Sequence, residues 1–122
     1  MSIVRVDPSS DMPPYEQVRT QIAGRVAAGL LAAGEKLPTV RALAAELGLA
    51  VNTVARAYRE LETDGIIATE GRRGTFVRSY AVEASSSDVR EAAGAYATTA
   101  RRAGLTAAEA TRLVEQAWSS GP

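Results

Sequence analysis

The chain has no cysteine and no histidine, and only one lysine, one tryptophan and one phenylalanine among its 122 residues. Without cysteine there is no disulfide framework and no thiol nucleophile. Without histidine there is no zinc-finger ligand set and no imidazole for acid/base work. Carboxylates alone would have to hold a metal, so neither a metal nor a cofactor is expected. A Gly-rich phosphate loop is missing too, and an enzyme is the weakest reading. Long apolar runs are also absent: stretches such as Leu30 to Ala33 fall far short of a membrane span, and Met1 to Arg5 lacks a signal-peptide core. A cytoplasmic protein with no membrane partner is expected.

An excess of either charge is lacking as well. Fourteen basic and fourteen acidic side chains cancel, and the balance is nearly even within each part: 10 basic and 9 acidic up to Tyr80, 4 and 5 beyond it. Net charge therefore does not announce nucleic acid, and it leaves open a module that binds another protein. The basic groups are almost all arginine, however, and Arg72, Arg73 and Arg78 share one short segment. Local clustering supplies the phosphate attraction that net charge does not. At 46% hydrophobic, the chain supports one ordinary core plus a small appendage.

A β-type stretch from Ile3 to Val6 leads through a polar loop to Pro13 and Pro14. Tyr15, Val18, Ile22 and Val26 then recur at helical spacing, predicting a helix to about Ala28. Glu35 to Pro38 reads as a turn. Thr39 is an N-cap candidate for a short helix through Leu47, and Gly48 suits the left-handed residue that ends it. A third helix is predicted from about Val51 to Thr63. Its packing side is Val54, Tyr58 and Leu61, helped by Val51 and Ala57. Asn52, Thr53, Arg56, Arg59, Glu60 and Thr63 form a hydrogen-bonding side able to address base edges and phosphates. Tyr15 and Tyr58 both sit on apolar stripes and read as core. Two short strands, Ile66 to Thr69 and Thr75 to Arg78, flank Glu70 to Gly74, a hairpin with Arg72 and Arg73 at its tip. After a helix pair, such a hairpin is the wing of a winged helix, and its arginines suit a narrow minor groove.

Pro14 to Val18, Gly34 to Arg41, Asn52-Thr53-Val54, Tyr58 to Glu62, Asp64-Gly65 and Gly74 to Val77 occur in an order and spacing that resembles the DNA-binding domain of the GntR family of bacterial regulators. With its short C-terminal tail the chain is similar to the YtrA-like subfamily. The resemblance implies DNA contacts from Arg41, Asn52, Thr53 and Arg56 and from the tip Gly71, Arg72, Arg73 and Gly74, to which the helix face adds Arg59. For Arg41, a surface pair with Glu46 or Glu35 is the alternative. Two positions depart from the pattern. Ala50-Val51 replaces a capping residue and proline, and Arg72 stands where glycine is common.

Beyond Tyr80, Ala84 to Ser87 reads as a link. Val89, Ala92, Ala93, Tyr96, Ala97 and Ala100 repeat at helical spacing toward Ala103. Thr106 to Glu109 is a capping box for a last helix carrying Leu113, Val114, Ala117 and Trp118. Two such helices cannot enclose a core alone. An Ala-lined hairpin allows close backbones, and its apolar side suits a twin. Val89, Ala93, Tyr96, Ala97, Ala100, Leu113, Val114, Ala117 and Trp118 are the dimerisation candidates. Such a tail offers little concave surface for a small molecule within one subunit, which leaves any effector site to the dimer interface.

The expected fold is thus α+β, mostly α: a winged helix-turn-helix over residues 1–80 and a two-helix dimerisation tail over 81–122. The expected function is sequence-specific binding of double-stranded operator DNA. The chain would act as a repressor, a homodimer reading an inverted repeat and occluding a promoter.

Overall fold

Two prolines set the start of the first helix. The Pro13 carbonyl accepts from the amides of Glu16 and Gln17, and Pro14, whose missing N–H is no loss in a first turn, opens α1 (Pro14–Ala27). The computed structural model describes residues 3–83 and 87–121, which form two compact units, 1–82 and 83–122. Met1, Ser2, Pro122 and the first three residues of the link read at Ala84 to Ser87 lie outside the described residues, and Ser87 is already helical.

Thr39 accepts from the Ala42 amide at 3.0 Å and so caps α2 (Val40–Leu47). Gly48, at φ +67°, supplies the left-handed turn that ends it, and α3 (Val51–Thr63) begins three residues later. α3 packs on both α1 and α2. Val18 and Ile22 of α1, Leu43 and Ala44 of α2, and Val54, Ala57, Tyr58 and Leu61 of α3 make the centre of the core. Val4, Leu31, Leu37, Ile67 and Val77 close its edges. Truncating a fully buried leucine such as Leu43 or Leu61 to alanine costs about 2–5 kcal/mol at a site of this kind.

β1 (Ile67–Thr69) and β2 (Thr75–Val77) pair antiparallel, with Ile67 opposite Val77 and Thr69 opposite Thr75. The helix pair and hairpin together make a winged helix-turn-helix. The segment read as a plain turn before α2 is instead part of the sheet. Lys36 bridges Phe76, the Leu37 amide donates to Thr75 at 2.8 Å, and the Val77 amide donates to Glu35 at 2.8 Å. β2 therefore has a neighbour on each side, which leaves its ladder groups paired rather than open.

Ile3 to Val6, by contrast, is not a strand. This segment runs over α1, where two glutamines one helical turn apart stand in for a neighbouring strand. The Gln21 side chain accepts from the Arg5 amide and donates to its carbonyl, at 2.8 and 2.7 Å. Gln17, buried, does the same at Asp7 and also donates to Met12. Two residues of extended chain and four of helix both advance about 6–7 Å, so the two periods match. Two further readings change: Val51 is exposed rather than packed, and Tyr15 is half-buried rather than core.

A short helix, α4 (Tyr80–Glu83), follows the wing. The tail unit holds α5 (Ser87–Arg102) and α6 (Ala107–Ser120). Thr106 and Glu109 form the reciprocal capping box at the start of α6, and Thr106 holds the Glu109 carboxyl below its ordinary range through its backbone amide and then its hydroxyl. The alanines do not zip the two helices together. Tyr96 reaches across to donate to the Ala110 carbonyl at 2.7 Å, and an open cleft of about 510 Å³ remains, lined by Ala97, Ala100, Leu105, Ala107, Ala110 and Val114. The tail thus has a concave surface within one chain, contrary to the expectation from its alanines, because a tyrosine rather than an alanine spans the gap. Ala100 is only 5% exposed, while Val89, Leu113, Val114 and Trp118 stand in solvent.

Candidate nucleic-acid interface

The outward side of α3 presents Asn52 and Arg59 exposed and Thr53 half-exposed, none with a side-chain partner among the described residues. Arg56 differs. Its guanidinium lies 3.7 Å over the centroid of the Tyr15 ring, and its Nε is 3.3 Å from Glu60. The other Glu60 oxygen is 3.8 Å from Arg19, which also pairs with Glu16 at 3.1 Å. Arg56 is thus tied into the junction of α1 and α3. It is still half-exposed, but its charge is already shared.

Ala50 at the N-cap of α3 makes no side-chain hydrogen bond. Its carbonyl takes the Thr53 and Val54 amides, leaving those of Val51 and Asn52 open at the positive end of the helix. Arg41 is exposed on the first turn of α2 and forms no ion pair among the described residues, so the surface pairing with Glu46 or Glu35 does not occur. Tyr58 couples the two helices. Its hydroxyl donates to the Pro38 carbonyl at 2.7 Å, just ahead of the α2 cap, and burial pushes it up to about 12.

At the wing, Gly71 to Arg73 form one tight 3-10 turn, closed by the Glu70 amide on the Gly74 carbonyl at 2.8 Å. Arg72 and Arg73 are exposed on this turn, with no ion pair among the described residues. Gly74 is required by its backbone, at φ +115°; a methyl group on it would also come within 2.8 Å of Cε of Lys36, a contact that the exposed lysine stem can yield. The Lys36 stem crosses the base of the wing there, exposed and without an anionic partner among the described residues. Sequence reading missed Lys36 as a member of this cationic set, because only the pairing with β2 brings it to the wing. Among the described residues no cluster of His, Cys, Asp or Glu could hold a metal, and no helix is long and apolar enough to cross a membrane.

Comparison with known proteins adds four findings. Residues 14–77 match the family model described as bacterial regulatory proteins, gntR family. Over 111 residues, 91% of this chain and 90% of the relative, the sequence is 47% identical to the HTH-type transcriptional regulator Rv1152 of Mycobacterium tuberculosis. It is 43% identical over 75 residues to the HTH-type transcriptional repressor YtrA of Bacillus subtilis, spanning 62% of this chain and 58% of that protein. Among solved structures, AraR(DBD) in complex with operator ORX1 superposes with a TM-score of 0.54 at 26% identity, over 63% of this chain and 95% of that one.

Proposed function

The chain belongs to the GntR family of bacterial regulatory proteins and is a DNA-binding transcriptional regulator rather than an enzyme, and on that premise we propose that it is a repressor that binds an inverted-repeat operator as a homodimer. One observation carries the assignment of its contacts. Arg41, Arg59, Arg72, Arg73 and Lys36, all on the helix-turn-helix and wing, are exposed without anionic partners among the described residues, while Arg19 and Arg56, at the junction of α1 and α3, share Glu16 and Glu60; Arg5, Arg101, Arg102 and Arg112 are exposed too but belong to other elements. Cations left unpaired in a chain of zero net charge are the groups available to displace counterions from a phosphate backbone.

In this reading Asn52 and Thr53 enter the major groove at the leading end of α3, and the open Val51 and Asn52 amides meet a phosphate. Arg72 and Arg73 reach the adjacent minor groove, and Lys36 follows along the backbone. Arg56 steadies α3 on Tyr15 and adds its remaining exposed edge. The tail brings two copies together through the exposed Val89, Leu113, Val114 and Trp118, with Ala93, Tyr96, Ala97 and Ala117 filling in around them. Ala100 serves the seam of its own hairpin. Twofold symmetry would set two α3 helices about one duplex turn apart, roughly 34 Å, which requires an inverted repeat. Occupying such a site within a promoter excludes polymerase; the name of the Bacillus subtilis relative, a repressor, supports that direction.

Selection from a random duplex pool, followed by titration at several salt concentrations, tests the proposal. Arg72→Ala with Arg73→Ala should weaken binding to every duplex and lower the slope of log K against log salt by about 2, one unit for each phosphate contact. Asn52→Ala should cost about 1–3 kcal/mol at particular base pairs and relax preference there. If both variants bind like the parent, the contact assignment is wrong. If the parent shows no salt-sensitive binding at all, the neutral chain serves a protein partner instead.

A further inference from the structure

Among the described residues of the winged unit, the exposed large apolar side chains are Met12, Leu30, Val51, Tyr80 and Val82, and only Val51 lies on α3. It is 42% exposed at the first position of the helix, next to Asn52. Ala55, one turn later on the same side, is half-exposed, so the two form a small apolar strip beside the polar one. Nothing local favours valine there. A β-branched residue forms helix less readily than alanine, Val51 is not part of the core, and it caps nothing.

A base-reading helix can use such a strip for one purpose. In the major groove the base edges offer hydrogen-bond donors and acceptors and a single apolar group, the C5 methyl of thymine. We infer that Val51 is a specificity-determining residue that covers a thymine methyl in each half-site, beside the base addressed by Asn52, with Ala55 extending the contact. The inference rests on the DNA-binding reading above. It adds a sequence consequence that the polar residues do not carry: a thymine preferred over cytosine, and over uracil, at one defined position.

The test starts from the duplex that the full chain selects, replacing each thymine in turn by deoxyuridine, which deletes the methyl group and leaves base pairing intact. For the parent, one position per half-site should lose about fourfold in affinity, the weight of one buried methyl group. Val51→Ala should bind the thymine duplex weaker by a similar factor and no longer distinguish thymine from uracil there, while Val51→Ile keeps the distinction. Circular dichroism of Val51→Ala checks that α3 stays helical. If the thymine-to-uracil ratio is the same for the parent and Val51→Ala at every position, the inference is overturned while DNA binding stands. If no duplex is selected at all, the DNA-binding reading fails and takes this inference with it.

Discussion

Tyr58 keeps its ring in the core and its hydroxyl on Pro38, so one side chain fixes the distance between α3 and the start of α2. Replacing it with phenylalanine should cost about 1–2 kcal/mol, since the ring stays buried but a carbonyl loses its donor. The same residue gives the fold an alkaline limit. Its folded value of about 12 lies above the ordinary 10.0, so folding favours the protonated hydroxyl. That contribution is fully present below pH 10 and is lost as pH rises from there through 12. The urea midpoint of the parent should fall across that window more steeply than that of Tyr58→Phe. At this scale the sequence was legible where a residue acts through its own helix. Asn52 and Arg59 follow from 100° spacing alone. Arg56 and Lys36 do not, because Tyr15 and Gly74, which define their settings, lie on other elements. Val51 was misread because α3 starts one turn ahead of its first core residue, Val54, so the apolar spacing runs past the edge of the core.

Among the elements, the helix-turn-helix boundaries were legible because Thr39 and Gly48 mark them chemically. The sheet was only half legible. Gly34 to Pro38 is rich in turn formers, and its pairing with β2 depends on a strand nearly forty residues on. Ile3 to Val6 has strand composition, yet its partners are two glutamine side chains, which no alternation pattern reveals. α3 is the element with an evident reserve of stability. Ala50→Ser supplies the missing cap and should raise unfolding stability by about 1 kcal/mol in urea titration. Ala50→Asp should cap the helix as well, but it should weaken duplex binding, because its carboxylate occupies the place proposed for a phosphate. Equal affinity for the two variants would remove the phosphate from the start of α3.

At the scale of the whole molecule, the tail unit leaves Val89, Leu113, Val114 and Trp118 uncovered on its two helices, the surface proposed to meet a second copy. Leu113→Glu combined with Trp118→Ala should therefore convert a dimer to a monomer in analytical ultracentrifugation without moving the unfolding of the winged unit. Affinity for an inverted repeat should then drop by about 100-fold, while binding to an isolated half-site is retained, because the second half-site loses its tethered partner. The surface proposed for a second copy was less legible than the winged helix, since an alanine-rich face suits self-packing and partner-packing alike; the Tyr96 contact that holds α5 and α6 around a cleft appears only in three dimensions.

Trp118 is the only tryptophan in the chain, and it stands 86% exposed near the end of α6. Its fluorescence therefore belongs to the tail alone. In the isolated chain it should emit at the red, water-exposed end of the indole range, and a surface that covers Trp118 should shift the emission blue. No dye or engineered label is needed: a dilution series reads assembly, and a titration with duplex shows whether events at α3 reach the tail at all.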